Sequence, residues 1–255
     1  MSESTVDRAA SALLQARSTR QWISSLPAEC RPKDLAEAYS VQNLVLTKLG
    51  QLAAWKVGAG SPDALPACAA ISEATVFDSN ASLAPERFNQ IGIEAEIAYR
   101  FSHDLPVRDD AYTEHDILTA IGSVHPAIEI SDTRFAAWAS QDRLSHIADQ
   151  LNHGALVVGP AIPNWQGMMP ASQRTVLTIN GMVSTDVIGG NPAGDLIRLL
   201  VWLANVGARK LGGIRAGHLV TTGSLTGVVF KSPPLRVEAE LVGYGLVRAN
   251  IGMMP

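Results

Sequence analysis

Two hydrophobic periods divide the chain. Through the first fifty residues apolar positions recur at helical spacing. Val6 to Arg17 is an Ala- and Leu-rich stretch, and from Pro32 to Leu49 the residues Leu35, Ala38, Tyr39, Val45, Leu46 and Leu49 share one helical face before Gly50 stops the run. From Ala53 the period shortens to two. Apolar runs of strand length, broken by Pro and Gly, follow one another: AAWKVGAG, ATVFDSN, IGIEAEIAYRF, HPAIEISDTRF, GALVVGP, RTVLTING, GHLVTTGS and LRVEAELVGYGLVRANI. Two helices interrupt them. Thr113-Glu114-His115-Asp116 resembles a capping box ahead of Ile117 and Leu118. Asn191-Pro192 predicts an N-cap and first helical position for a helix carrying Leu196, Leu199, Leu200 and Leu203 to a stop at Gly212-Gly213. With no internal repeat or linker, the pattern predicts an α+β fold in one structural domain, with a helical layer over residues 1–52 and a strand-rich core over 53–255.

The polar positions on these strands carry the chemistry. Ile91, Ile93, Ala95, Ile97, Tyr99 and Phe101 take every second place, so Glu94 and Glu96 share the other face of a half-buried strand. Their Cα atoms should lie roughly 6–7 Å apart, close enough for two flexible side chains to converge on one ion. Ile128 and Ile130 flank Glu129 in the same way. Like charges on one strand face repel unless a cation lies between them, and an all-oxygen set suits hard Mg²⁺ or Mn²⁺ with coordination positions left for substrate. A Glu-x-Glu pair standing alone would fit the solvated face of an ordinary sheet equally well.

Lys56 alternates with Trp55 and Val57 and leaves its strand on the face of Ala54 and Gly58, where small neighbours leave room for a ligand. It reads either as a catalytic proton carrier or as a snorkelling surface lysine. Asp78 closes a short strand before the turn-like SNAS, and is a second catalytic candidate or a turn former. In Thr222-Gly223-Ser224-Leu225-Thr226-Gly227, flanking glycines would let backbone N–H groups and hydroxyls surround a substrate carboxylate, though a plain hairpin turn would look similar. His125, His146, His153 and His218 have no metal-type pairing and read as packing or hydrogen-bonding residues. No G-x-S-x-G elbow supports a serine hydrolase.

Composition narrows the partners. The 255 residues are 47% apolar but only 5% aromatic, so Ala, Val, Leu and Ile must build the core. A net charge of -4 gives no basic footprint for nucleic acid. No apolar run reaches the roughly 20 residues of a membrane span, and the first residues lack the apolar segment of a secretory signal, so the expectation is a cytoplasmic protein without a membrane partner. Cys30 and Cys68 lack metal or redox spacing and read as reduced thiols.

WKVGAGSP, IGIEAEIAYRFSHDLP, HPAIEISDTRF, IADQLNHGALVVG and WLAN…AGHLVTTGSLTG together resemble, in order and spacing, the 2-keto-4-pentenoate hydratase/4-oxalocrotonate decarboxylase group of the fumarylacetoacetate hydrolase superfamily, from about Asp34 to the C-terminus. The resemblance implies a mixed β-roll, Mg²⁺ or Mn²⁺ on Glu94, Glu96 and Glu129, proton transfer assisted by Lys56, and a substrate carboxylate held by the loop Gly223, Ser224, Leu225 and Thr226. It implies hydration of a 2-hydroxy-2,4-dienoate, through its 2-oxo-3-enoate tautomer, to a 4-hydroxy-2-oxo acid in the catabolism of aromatic compounds. It also implies a homo-oligomer and a partner enzyme of the same pathway. A 4-oxalocrotonate-type decarboxylase and a non-catalytic partner subunit are the alternatives, and the presence of all three glutamates with Lys56 argues against the second. Many members read A-D-N-A-S-S-G where this chain has Ala148-Asp149-Gln150-Leu151-Asn152-His153-Gly154. Gln150, Asn152 and His153 are therefore expected near the substrate or its water, with Gln150 counted among the substrate-binding residues.

Overall fold

A computed structural model describes residues 4–253, so the outermost positions of the predicted layer and core lie outside the described residues. The helical layer forms as its pattern predicts. Helix α1 (Thr5–Thr19) opens on a capping box between Ser4 and Asp7, and α2 (Leu35–Leu49) on Asp34, whose carboxylate accepts from Glu37 N–H. Their apolar faces meet through Ala9, Leu13, Val41 and Val45 and close over Phe135 and Ala148, so the layer is packed onto the rest of the chain.

The strands that follow are β1 (Leu52–Gly58), β2 (Ala67–Ser72), β3 (Val76–Asp78), β4 (Ala81–Leu83), β5 (Gly92–Phe101), β6 (Leu105–Pro106), β7 (Ile121–Ser131) and β8 (His153–Val158). Beyond them come β9 (Arg174–Ile179), β10 (Met182–Ile188), β11 (Gly213–Ile214), β12 (Leu219–Thr221), β13 (Val229–Phe230), β14 (Leu235–Leu241) and β15 (Gly245–Ile251). One mixed sheet runs β2-β1-β12-β5-β7-β8-β3, with β13 also on β5, and a five-stranded sheet runs β10-β9-β14-β15-β4. Helix α3 (Glu114–Ala120) starts at the predicted capping box of Thr113 and Asp116, and α4 (Arg143–Ala148) and α5 (Leu196–Trp202) follow it.

Strand β5 is buried on both faces, whereas its alternation predicted a half-buried strand. On one face Ile93 and Ala95 pack against the second sheet while Ile97, Tyr99 and Phe101 pack against the layer of α3 and α5. The other face carries the small residues Ala54, Ala98 and Ala127 at the middle of the large sheet. Their size leaves the space that the polar side chains beside them occupy.

Two local differences from the sequence reading have clear causes. Asn191 does not cap α5: Gly194, at φ +69°, turns the chain first, and Asp195 accepts from Ile197 N–H as the actual N-cap. Asn191 instead donates to the Thr222 and Gly223 carbonyls at 2.9 and 3.0 Å. The helical path beyond α5 widens into a π-turn at Leu203–Gly207 before Gly212 ends it. Strand β2, absent from the predicted strands, is an edge whose free backbone groups are covered. Cys68 N–H donates to the Tyr39 hydroxyl, Gln42 takes Cys68 O and Ala70 N–H, and Gln150 Nε2 donates to Ala70 O at 3.0 Å. Cys30 and Cys68 are free and buried. Among the described residues no helix is long and apolar enough to cross a membrane.

Candidate metal centre

Antiparallel pairing of β5 with β7 sets Glu94 directly opposite Glu129, and Glu96 opposite Ala127. One carboxylate oxygen from each of Glu94, Glu96 and Glu129 lies within 4.8 Å of the others. Glu96 and Glu129 are each only 1% exposed, and Glu96 Oε1 and Glu129 Oε2 have no hydrogen-bond partner. Buried, unpartnered carboxylate oxygens are costly, so this cluster favours positive charge placed among them. Its donors are all hard oxygens, and they fit a divalent cation.

Lys56 supplies one countercharge. Its Nζ donates to Glu129 Oε1 at 2.6 Å and to the Leu151 carbonyl at 3.1 Å. Glu129 Oε1 also accepts from His153 Nδ1 at 3.0 Å, while His153 Nε2 lies 3.0 Å from Thr75 Oγ1. These contacts divide the carboxylates electrostatically. Burial would raise Glu129, but the Lys56 charge and the His153 hydrogen bond outweigh it and hold Glu129 at about 2. Burial and the Glu129 charge push Glu94 up to about 7, and burial with both neighbouring carboxylates pushes Glu96 well above the usual range. Burial pulls Lys56 down, yet the charges of Glu129, Glu94 and Glu96 prevail and raise it. Burial holds His153 at about 4, so its imidazole is neutral near neutrality.

The cluster opens into a cleft of about 350 Å³ walled by Gly58, Gly60 and Leu65 on one side and by Arg143, His146 and Leu151 on another. That volume is in the range of small-molecule sites. Of the loop read as an anion nest, only Gly223 lines the cleft, with its N–H 3.3 Å from Glu96 Oε2. Leu225 N–H goes to the Ala95 carbonyl, Thr226 N–H to Ser224 Oγ, and Thr226 Oγ1 accepts from Ala95 N–H. The loop thus satisfies the backbone of β5 where a neighbouring strand would have done so, and its donors do not form an open nest.

Two other predicted site residues do not join the cluster. Asp78 is exposed at the end of β3, away from the cleft lining. Gln150 turns its amide to Ala70 O and to Arg17 rather than to the cleft. Sequence reasoning missed Arg143 and His146 as cleft residues, although a signal existed: Asp142 caps α4, and the i, i+3 spacing puts both on one side of it. Among the described residues the Arg143 guanidinium has no hydrogen-bond or ion-pair partner, while its backbone opens α4. His153 is the hydrogen-bonding residue its sequence context predicts, but its partner Glu129 depends on strand register rather than on spacing.

The chain matches the family model described as fumarylacetoacetate (FAA) hydrolase C-terminal over residues 55–251. It is 28% identical over 162 residues to a 2-keto-4-pentenoate hydratase of Paraburkholderia xenovorans, an alignment covering 64% of this chain and 59% of that relative. The chain thus spans about three-fifths of the length of that relative. A 2-keto-4-pentenoate hydratase of Paraburkholderia phymatum aligns over 97% of this chain and 98% of its own length at 25% identity. The fold is shared with the solved structure of 4-oxalocrotonate decarboxylase from Pseudomonas putida G7 complexed with calcium and acetate, at TM-score 0.85, 21% identity and 98% coverage of each chain.

Proposed function

Since this chain belongs to the fumarylacetoacetate hydrolase family, through the C-terminal-type domain matched over residues 55–251, we propose that it is a divalent-metal-dependent hydro-lyase. It converts a 2-hydroxy-2,4-dienoate to a 4-hydroxy-2-oxo acid in the catabolism of aromatic compounds. The observation that carries the reading is the convergence of Glu94, Glu96 and Glu129 with two buried oxygens unpartnered. Relatives named 2-keto-4-pentenoate hydratase and 2-hydroxyhexa-2,4-dienoate hydratase support the reaction class.

Glu94, Glu96 and Glu129 would hold Mg²⁺ or Mn²⁺. When bound, such an ion supplies Lewis-acid polarisation of a 2-oxo acid, favouring the enolate shared by ketonisation and conjugate addition. The chain's own residues do the rest. Lys56 keeps a proton at Nζ, and after its bonds to Glu129 and Leu151 one N–H is left to meet substrate. Ketonisation removes the proton of the 2-hydroxyl and places one on C5, a net isomerisation, and hydration then adds hydroxyl to C4 and a proton to C3, so the overall balance is one water consumed. His146 lines the cleft, and burial, followed by the Lys56 charge, lowers its pKa; its neutral imidazole is suited to accept a proton from that water. Leu65 and Ile147 supply apolar wall on the substrate side.

The test is direct. 2-Hydroxypenta-2,4-dienoate incubated with the protein and Mg²⁺ or Mn²⁺ should lose its dienoate absorbance and yield 4-hydroxy-2-oxopentanoate, with EDTA abolishing turnover. Carbon dioxide release from an oxalocrotonate, with no hydration of dienoates, would replace the hydratase by the decarboxylase reading. The same preparation in light scattering tests the homo-oligomer that accompanies this proposal, and co-purification tests a partner enzyme.

A further inference from the structure

Gln150, Leu151 and Asn152 are three consecutive non-glycine residues in the left-handed region, at φ 53°, 51° and 60°. Side chains are disfavoured there because Cβ crowds the following carbonyl oxygen, and such a run persists only where its surroundings hold it. Here they hold it from several directions. Arg134, 1% exposed, donates from Nε to Asp149 Oδ1, from Nη2 to the Asp149 carbonyl and from Nη1 to the His153 carbonyl, bracketing the turn. Asn152 N–H returns to the Asp149 carbonyl, and the Asn152 carbonyl accepts from Asp132 N–H. The Gln150 amide is fixed at both ends, by Ala70 O and by Arg17 Nη2, each at 3.0 Å.

What the turn presents is directional. Its central carbonyl, that of Leu151, accepts from Lys56 Nζ at 3.1 Å, and just beyond it His153 binds the same Glu129 oxygen that Lys56 binds. A right-handed backbone at these residues would rotate the Leu151 carbonyl away from Lys56. A lysine has four side-chain torsions, and two fixed acceptors at Nζ remove most of their freedom while leaving the third N–H for the cleft.

We infer that the strained turn Gln150–Asn152 is a positioning device for Lys56, and that Arg17, on a helix outside the matched residues 55–251, is the peg that sets it. Arg17 does not line the cleft; its Nη2 donates to Gln150 Oε1 at 3.0 Å and, over a longer 3.4 Å, to the His153 carbonyl at the end of the same turn. The inference rests on the proposed part of Lys56 in proton transfer, but not on the identity of the substrate.

Reductive methylation of the metal-free protein, followed by mass spectrometry at Lys56, reports how firmly Nζ is held without requiring turnover. In Arg17→Met the Lys56 methylation rate should rise about 10-fold and kcat on the dienoate should fall about 10- to 100-fold, the cost of displacing a catalytic group by about 1 Å, with KM and calorimetric Mg²⁺ affinity within about twofold. Arg17→Lys keeps one donor for Gln150 and should restore protection and most of kcat. Leu151→Gly relieves strain while keeping the carbonyl in the chain. Its melting temperature should hold while methylation rises and kcat falls, whereas a merely structural turn would move stability and activity together. An Arg17→Met variant with wild-type methylation and kcat overturns the inference, as does a Leu151→Gly variant whose Lys56 stays fully protected. If the wild-type protein itself turns over no dienoate, the functional reading fails and the methylation rates still decide this one.

Discussion

Lys56 on β1 reaches Glu129 on β7 across the two strands β12 and β5, closing an ion pair of 2.6 Å between residues 73 positions apart in the chain. The lysine therefore lies over the face from which Glu94 and Glu96 project, and one ammonium faces three carboxylates. Its length matters as much as its charge, because the neighbouring residues Ala54 and Ala98 leave the path across the sheet open.

Lys56→Met should keep the fold and bind the divalent ion, because a bound cation supplies the charge the lysine gave up. Turnover should fall about 10²–10⁴-fold, the usual contribution of general acid–base groups. Steady-state kinetics beside calorimetry of Mg²⁺ binding checks both halves, and an unaltered kcat would make Lys56 a bystander.

Glu96→Gln preserves size but removes the charge of a carboxylate that has an unpartnered buried oxygen. Partners outside the coordination sphere are already worth roughly 10–100-fold in metal affinity, so loss of a direct anionic ligand should cost at least about that much. Turnover should fall with it. Wild-type metal affinity by calorimetry in this variant would remove Glu96 from the ligand set.

Part of this site was legible in the chain and part was not. Period-two alternation was enough to place Glu94 and Glu96 on one face and to single out Glu129, because side-chain direction in a strand is a local property. That Glu94 stands opposite Glu129 depends on strand register, which no single segment encodes. The loop at Gly223–Thr226 looked like an anion nest for the same reason: the demand of Ala95 for backbone partners is invisible without knowing which strand lies beside it. Gln150 is expected at the substrate because it departs from the A-D-N-A-S-S-G pattern of the resembling family, but the open edge of β2, which the sequence pattern does not reveal, takes its amide. Asp78 is the exposed last residue of a three-residue strand at the edge of the large sheet, where position in sequence says nothing about distance from the cleft.

Metal binding should stabilise the protein more as pH rises. Glu94 sits at about 7 in the fold against an ordinary value of 4.5, so between these values the folded state binds more protons than the unfolded one. Metal-free stability contributed by Glu94 is therefore present at low pH and lost as pH rises through that window, with Glu96 extending the loss upward. A bound cation replaces those protons. His153, held at about 4, acts in the opposite sense, since its neutral form favours the fold and stability is lost as pH falls from 6.5 toward 4. Taking the difference between melts with Mg²⁺ and with EDTA cancels that share. The gain in melting temperature should be larger near about pH 8 than near about pH 6. An equal or smaller gain at the higher pH would contradict the buried, partly protonated carboxylate pair.

The loop that carries Gly223 depends on a glycine from a distant segment. Gly190 has φ +91°, a conformation that strains any side chain, and a Cβ there would collide with the Leu225 carbonyl oxygen. Leu225 is itself 1% exposed and its N–H is bonded to Ala95 O, so the loop cannot retreat without breaking its seam with β5. Asn191, the next residue, holds the Thr222 and Gly223 carbonyls and would be dragged along by any shift at Gly190. Gly190→Ala should therefore cost about 1–3 kcal/mol of stability, the range for a strained backbone position, and should weaken turnover beyond what the loss of folded protein explains. Gly181→Ala is the control, since Gly181 also has a positive φ of +79° but a Cβ there meets nothing within 4 Å. It should lose stability through backbone strain alone and keep the wild-type kcat per folded molecule. Thermal melts with kinetics normalised to folded protein separate the two, and a Gly190→Ala enzyme with wild-type kcat would show that the loop tolerates displacement.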